Sequence, residues 1–188
     1  MTPGKEEARL DVPVGARDHV EGPATAPVTL VEYGDYECPH CGRAYPILKQ
    51  IQRELGDRLR FVFRNFPLTR IHLHAQHAAE AAESAASQGK FWIMHDRIFE
   101  RQFALEDENL IEYARELGLD VERFRAELTS HAHRKRVRDD FMSGVRSGVN
   151  GTPTFFVNGV RYDASWDHDP LLAALREVAA AAPRSPRP

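Results

Sequence analysis

Two cysteines, Cys38 and Cys41, stand two residues apart in the tetrapeptide Cys-Pro-His-Cys, and the chain has no others. A disulfide between them would close too short a loop to stabilise a fold, because the entropy it removes from the unfolded chain grows with loop length. In a reducing compartment, two close cysteines are better explained by redox exchange or by metal binding. The pair therefore indicates thiol chemistry rather than a structural bridge.

Zinc binding and two idle thiols are the alternatives to redox exchange. A tetrahedral zinc site would need two further ligands, and the candidates are histidines. These are His72, His74, His77, His131 and His133. None of them has a spacing that demands a zinc site, so we predict no metal and favour redox exchange.

The elements around the cysteines explain how they would react. Residues 28–33 are an apolar run typical of a buried strand. Pro39 suits the first position of a helix, and apolar residues recur at helical spacing from there until Gly56 ends it. Cys38 is then at the helix N-terminus, where free N–H groups and the helix dipole lower a thiol pKa to roughly 3.5–7.5. Cys41 is one turn further in and more buried.

His40 lies between the cysteines, where its imidazole could stabilise a Cys38 thiolate and make the disulfide a better oxidant. We predict that His40 tunes the site, although it could be a bystander, and that Pro39 starts the helix. Glu37 precedes Cys38 and would disfavour the thiolate modestly. We expect Glu37 to turn into water.

The rest of the chain predicts an α/β fold. A second strand at 59–66 completes a strand-helix-strand unit, residues 71–148 show helical patterns for four or five helices, and Asn158-Gly159 marks a hairpin before a last helix at 169–180. The predicted domain division follows from this order: a loose segment at 1–26, a sheet domain from 27–70 and 149–181, a helical insertion at 71–148 and a disordered tail at 182–188.

Composition excludes several partners. The chain has 25 Lys and Arg against 28 Asp and Glu, which argues against a general binder of nucleic acid or of anionic membranes. No run of about 18 apolar residues is present to span a bilayer. The first residues lack the features of a secretory signal, so we expect a cytoplasmic protein, or an exported one if a leader was removed.

Two segments and the helical block between them resemble a known family. VTLVEYGDYECPHC at 28–41 and GTPTFF at 151–156 are similar to the DsbA-like branch of the thioredoxin superfamily, over residues 26–180. The resemblance implies a thioredoxin fold, which is a central mixed sheet flanked by helices, with an inserted α-helical domain. It also implies a thiol-disulfide oxidoreductase that acts on protein thiols, needs no cofactor beyond its disulfide, and has a redox partner that the sequence does not identify. Similar domains occur fused to bacterial sodium/proton antiporters.

The resemblance also assigns roles to residues. Cys38 attacks and Cys41 resolves the mixed disulfide, while Thr152 and Pro153 match a cis-proline loop that holds the substrate chain. Glu32 matches a buried acid six residues before the first cysteine. A carboxyl group in a central strand would have a raised pKa and could exchange a proton with Cys41. An ordinary turn proline at 153 and a water-facing acid at 32 are the alternatives.

This chain departs from the family in two ways. It lacks the signal peptide of the exported oxidases, which leaves the direction of electron flow open, and Thr152 replaces the valine usual in periplasmic oxidases, which allows different substrates.

Two other functions are alternatives to catalysed exchange. One is a non-catalytic redox-sensing or chaperone-like binding module with a reversible dithiol. The other is a glutathione-dependent transferase or isomerase, which Cys41 argues against because those enzymes use a single Ser or Cys. Apolar residues at 91–99 are predicted to be mostly core, and the sequence leaves open whether some of them face the dithiol and form a groove for unfolded substrate.

Overall fold

A computed structural model describes residues 8–181, and its centre is a mixed sheet of five strands in the order β1-β3-β2-β4-β5. The central pair, β2 and β3, is parallel, and the other three pairings are antiparallel. The strands are β1 His19–Glu21, β2 Val28–Gly34, β3 Leu59–Asn65, β4 Thr154–Val157 and β5 Val160–Tyr162. The predicted fold class is confirmed.

Seven helices flank this sheet in the described part of the chain. Five of them are inserted between β3 and β4, within the four or five that the sequence predicts. The helices are α1 Pro39–Leu55, α2 Ala75–Ser87, α3 Phe91–Glu100, α4 Asp107–Glu116, α5 Val121–Thr129, α6 Arg134–Arg146 and α7 His168–Ala181. None of the helices within residues 8–181 is both long enough and apolar enough to cross a membrane.

Local sequence signals set the ends of several elements. Pro39 occupies the first position of α1, and Gly56 follows its last residue with φ +51°. Asn158 and Gly159 both adopt positive φ between β4 and β5. A two-residue hairpin turn needs this conformation to match the right-handed twist of its strands. These turns were predicted correctly because each depends on residues that are neighbours in the chain.

Side-chain alternation along β2 divides its residues between two apolar layers. Leu30 belongs to the larger layer with Cys38 and Cys41, whereas Val31 and Tyr33 belong to a smaller layer on the opposite face. Successive side chains of a strand point to opposite faces, so Glu32 shares the face of Leu30. The strand therefore directs a carboxyl group toward the layer that contains both sulfur atoms.

The N-terminal segment differs from the prediction. Residues 1–26 were predicted to be loose, but His19–Glu21 pairs with β3, and the buried guanidinium of Arg64 binds Asp18 and the carbonyls of Val12 and Pro13. The prediction was wrong here because the segment has no periodicity of its own and is held by Arg64, far along the chain. Residues 1–7 and the predicted disordered tail at 182–188 lie outside the described residues.

Candidate active site

The first turn of α1 holds the two cysteines, and both are free thiols in this structure. Cys38 is the N-cap residue with extended backbone angles, and its carbonyl accepts the N–H of Gly42 at 3.0 Å. Cys41 is completely buried, and Cys38 is 4% exposed at the edge of the same apolar layer. The sequence prediction that α1 would place these residues at its start is matched by the geometry.

The helix start separates the two thiol pKa values. The hydrogen bond from the Cys41 thiol is the largest cause that lowers the pKa of Cys38 from 9.0 to about 5, and Thr152 and the backbone N–H groups of Cys41 and His40 add to it against the effect of burial. Burial raises the pKa of Cys41 well above its ordinary value. At neutral pH the pair therefore consists of a thiolate nucleophile and a neighbouring thiol that keeps its proton.

The backbone N–H of His40 is one of the groups that lower the pKa of Cys38. The His40 side chain is exposed, and the ring makes no hydrogen bond to any residue between 8 and 181. The predicted tuning by the imidazole stays a prediction. Pro39 is also exposed, and its visible role is to begin α1.

Glu37 does not turn into water, as the sequence analysis expected. Its Oε2 accepts the backbone N–H of His74 at 2.6 Å, and this bond fixes the loop before α2 against the turn before Cys38. The expectation was wrong because His74 is 37 residues away in the chain, and nothing near Glu37 in the sequence indicates the contact.

Asp35 is a site residue that sequence reasoning missed. Its carboxylate is buried and accepts hydrogen bonds from the N–H of Leu68 at 2.8 Å and from His72 Nδ1 at 2.7 Å. Its own N–H donates to Cys41 Sγ at 3.4 Å, and its carbonyl accepts the N–H of Cys38 at 3.2 Å. Asp35 therefore holds the turn that presents both sulfur atoms, a role for which an acid in a turn is only a weak sequence signal.

Glu32 is buried on the cysteine side of β2, and its Oε1 has no hydrogen-bond partner among residues 8–181. Burial, and then the negative charge of Cys38, raise the pKa of Glu32 from 4.5 to about 8. The carboxyl group thus keeps a proton near neutral pH, beside a thiol whose pKa its charge also raises. Its predicted proton transfer with Cys41 stays a prediction.

The loop before β4 faces the nucleophile. The Thr152–Pro153 peptide bond is cis, and Cys38 Sγ donates to the carbonyl of Thr152 at 3.4 Å. The hydroxyl oxygen of Thr152 is buried and has no partner in the described chain while the Cys38 thiol keeps its proton, and its side chain is among the groups that lower the pKa of Cys38. A free hydroxyl beside Cys38 is a donor that becomes useful when the thiol ionises.

We expect Thr152→Val to raise the pKa of Cys38 by about one unit, because the shape is kept and the free hydroxyl is lost. Thiolate absorbance at 240 nm, followed against pH, measures this pKa. Thr154→Val is the matched control, since its hydroxyl donates to the carbonyl of Gly151. An unchanged pKa in Thr152→Val would show that the hydroxyl does not act on the thiolate.

Histidines considered as zinc ligands bind carboxylates instead. His72 pairs with Asp35, and three others pair with acids of the inserted helices. These pairs are His77–Asp107, His131–Glu80 and His133–Glu127. Within residues 8–181, no three or more His, Cys, Asp or Glu side chains are grouped as a metal site would require.

Residues 16–177 match the thioredoxin family model. The chain belongs to the thioredoxin family. Among solved structures it resembles BdbD from Bacillus subtilis, with a TM-score of 0.80 and 24% identity over 93% of this chain and 98% of that one. A thioredoxin-like oxidoreductase from Silicibacter pomeroyi matches with a TM-score of 0.77 and 26% identity, over 89% of this chain and 95% of that one. Wolbachia pipientis alpha-DsbA1 matches with a TM-score of 0.77 and 18% identity, over 91% of this chain and 94% of that one. The resemblance to DsbA-like proteins is confirmed.

Curated relatives of higher identity are longer proteins. Na(+)/H(+) antiporter NhaA 1 of Salinispora arenicola is 45% identical over 187 residues, which are 98% of this chain and 28% of the relative. Na(+)/H(+) antiporter NhaA of Herminiimonas arsenicoxydans is 48% identical over 88% of this chain and 26% of the relative. The chain thus spans less than a third of the length of these relatives.

Proposed function

We propose that this chain is a thiol-disulfide oxidoreductase that exchanges disulfides with protein thiols through Cys38 and Cys41. The observation that carries the proposal is the placement of Cys38 at the N-cap of α1, with Cys41 buried one turn further in and the Thr152 carbonyl 3.4 Å from Cys38 Sγ. This arrangement lowers the pKa of Cys38 to about 5 and raises the pKa of Cys41 well above its ordinary value. A low-pKa thiolate is a nucleophile and a good leaving group at neutral pH, and the neighbouring thiol can resolve the mixed disulfide once it has given up its proton. The disulfide formed by the pair is the only redox group this reaction needs.

Oxidation of a substrate would proceed in two exchanges. A substrate thiolate attacks Cys38 Sγ of the Cys38–Cys41 disulfide, the S–S bond breaks, and the electron pair goes to Cys41, which takes up a proton. A second substrate thiolate then attacks the substrate sulfur of the mixed disulfide, and Cys38 leaves as a thiolate. Two substrate thiols lose two electrons and two protons, and the cysteine pair gains the electrons. Reduction of a substrate disulfide is the reverse sequence.

Exposed apolar side chains near Cys38 support protein substrates over small thiols. Ile71 is 70% exposed and Leu73 is 85% exposed on the loop that Asp35 and Glu37 hold beside the active-site turn. Phe103 is fully exposed and directly follows a residue that binds the Cys38 carbonyl. An unfolded chain could bury its own apolar groups on this surface while its cysteine reacts.

The prediction that the apolar residues at 91–99 are mostly core is confirmed, and the groove left open as their other role is not formed by them. Phe91, Met94, Ile98 and Phe99 are all buried in the core of the inserted helices, and Trp92 packs against them. Loop residues that have no periodicity provide the exposed apolar groups instead.

We expect Phe103→Ser and Leu73→Ser each to lower kcat/KM for a reduced protein substrate by about tenfold, since each removes part of an apolar contact worth 1–3 kcal/mol. Exchange with glutathione should be unchanged in both variants. Ile93→Ser is the matched control because Ile93 is 45% exposed near the other end of α3. Equal losses for glutathione and protein would show that these residues do not contact substrate.

The proposal is tested by the redox equilibrium of the cysteine pair against glutathione, together with insulin reduction and oxidation of reduced ribonuclease. A potential well above the glutathione poise with ribonuclease oxidation indicates an oxidase and favours an exported protein. A potential near −270 mV, the value for thioredoxin, with insulin reduction indicates a cytoplasmic reductase. A pair that forms no disulfide at any glutathione ratio would overturn the proposal.

A second candidate is a redox-sensing or chaperone-like binding module, which the exposed apolar surface at Ile71, Leu73 and Phe103 favours. Such a module would bind unfolded chains with an affinity that depends on the redox state, and it would not turn over. Variants of the two cysteines separate the candidates.

A further inference from the structure

Gln102 connects the inserted helices to the turn that carries Cys38. It lies just after α3, and its Nε2 donates to the carbonyl of Tyr36 at 2.9 Å and to the carbonyl of Cys38 at 2.8 Å. One side-chain amide thus uses both hydrogens on two carbonyls separated by a single residue. Gln102 is 64 residues from Cys38 in the chain, so this contact exists only because of the fold.

The first turn of α1 is shaped to admit this amide. A Cβ atom at Gly42 would come within 2.1 Å of Gln102 Oε1. Gly42 has no left-handed backbone that would call for glycine, so a side chain here would require only that the amide of Gln102 move. This close approach is independent of the two hydrogen bonds and places the same amide against the residue that follows Cys41.

The two carbonyls that Gln102 binds influence the thiolate. Their oxygens carry partial negative charge next to Cys38, and the N–H groups of His40 and Cys41 that stabilise its charge belong to the peptides that follow. The amide of Gln102 donates to these oxygens and offsets their partial charge. It also fixes the planes of the two peptides to which they belong, one before Glu37 and one after Cys38. Loss of the donor would leave the Cys38 carbonyl with only the N–H of Gly42 and would take this partner from the Tyr36 carbonyl. The turn would lose one of its contacts and keep those of Asp35.

We propose that Gln102 is a positioning residue that fixes the backbone of residues 36–38 from the inserted helices and so sets the reactivity of Cys38. The inference rests on the proposed disulfide exchange. It assigns to an insertion residue a function in the chemistry of a cysteine on the sheet domain. Gln102 does not contact the reacting atoms; it acts through the peptide groups around Cys38.

The test compares Gln102→Met, which keeps length and loses both donors, with Gln102→Glu, which keeps shape and adds negative charge. The 240 nm titration of Cys38 and the glutathione equilibrium are measured on the reduced and oxidised proteins. We expect the pKa of Cys38 to rise by about one unit in Gln102→Met and further in Gln102→Glu, and the pair to become up to about tenfold less oxidising.

Gln88→Met is the matched control. The Gln88 amide also binds backbone in the inserted helices, accepting the N–H of Asp120 at 2.8 Å and donating to its carbonyl at 3.4 Å. Its replacement should alter the urea midpoint without moving the pKa of Cys38. If Gln102→Met changes only the urea midpoint, as Gln88→Met does, Gln102 is merely structural and the inference is overturned.

The contact with Gly42 allows a second test. Gly42→Ala alone should displace the amide and raise the pKa of Cys38 as Gln102→Met does. In a Gln102→Ala background, Gly42→Ala should have no further effect on that pKa, and additive effects of the two changes would contradict a shared cause. Failure of the wild-type chain to form a disulfide would refute the proposed exchange alone, because the Cys38 titration reports on Gln102 without turnover.

Discussion

Cys38→Ser is expected to reduce disulfide exchange to background, a loss of about 10³-fold or more, because a serine hydroxyl is not ionised at neutral pH and cannot form a mixed disulfide. The wild-type thiol has a pKa of about 5 and is almost wholly a thiolate at pH 7. The measurement is the rate of insulin reduction and of ribonuclease oxidation, with binding of an unfolded substrate followed in parallel.

Cys41→Ser is the matched partner of this variant and should stop the reaction one step later. Its hydroxyl can still donate to the Cys38 thiolate, so attack on a substrate disulfide continues, but resolution fails and a mixed disulfide through Cys38 accumulates. Mass spectrometry after reaction with a disulfide-bonded peptide detects it. Exchange that survives Cys38→Ser would contradict Cys38 as the nucleophile. A variant that changes only the affinity for unfolded chains would favour the binding module.

The nucleophile was predictable because its position depends on local signals. Pro39 and the apolar periodicity of α1 place Cys38 at a helix N-terminus without any knowledge of the fold. The buried run of β2 likewise places Glu32 in the sheet. These features place the residues of the proposed exchange, and the sequence alone predicts their positions.

The residues that hold the nucleophile were not predictable in the same way. Asp35 contacts His72, Glu37 contacts the N–H of His74, and Gln102 reaches Cys38 across 64 residues. Each is an ordinary polar residue in a turn or loop, and its role depends on which distant segment packs against it. Strand β1 was missed for the same reason, since it is defined by its pairing with β3.

Glu32→Leu is expected to stabilise the reduced protein at alkaline pH. The pKa of Glu32 is about 8 in the folded chain and 4.5 as a reference, so between these values the folded state keeps a proton that the unfolded state has lost. Stability contributed by this group is therefore complete below pH 4.5 and falls as pH rises to 8. The difference between the two pKa values corresponds to about 5 kcal/mol of unfolding free energy lost at alkaline pH, and Glu32→Leu removes this loss.

Urea unfolding of wild type and variant at pH 5 and pH 8.5 measures the effect. Their difference contains the contribution of Glu32 together with its interaction with Cys38, whose own lowered pKa acts in the opposite direction in both proteins. Glu83→Gln is the control among buried acids. Burial raises the pKa of Glu83, but His19 and Arg136 outweigh it, and its net pKa is lowered. That variant should lose stability at neutral pH, whereas Glu32→Leu gains it.

The oxidised protein extends the same argument to function. The second cause of the raised pKa of Glu32 is the charge of Cys38, which a disulfide removes. We therefore expect Glu32→Leu to gain less stability at pH 8.5 in the oxidised form than in the reduced form. The carboxyl group then stabilises the disulfide relative to the thiolate, and its removal should make the pair more oxidising at that pH. An equal gain in both forms would show that Glu32 does not interact with the charge of Cys38.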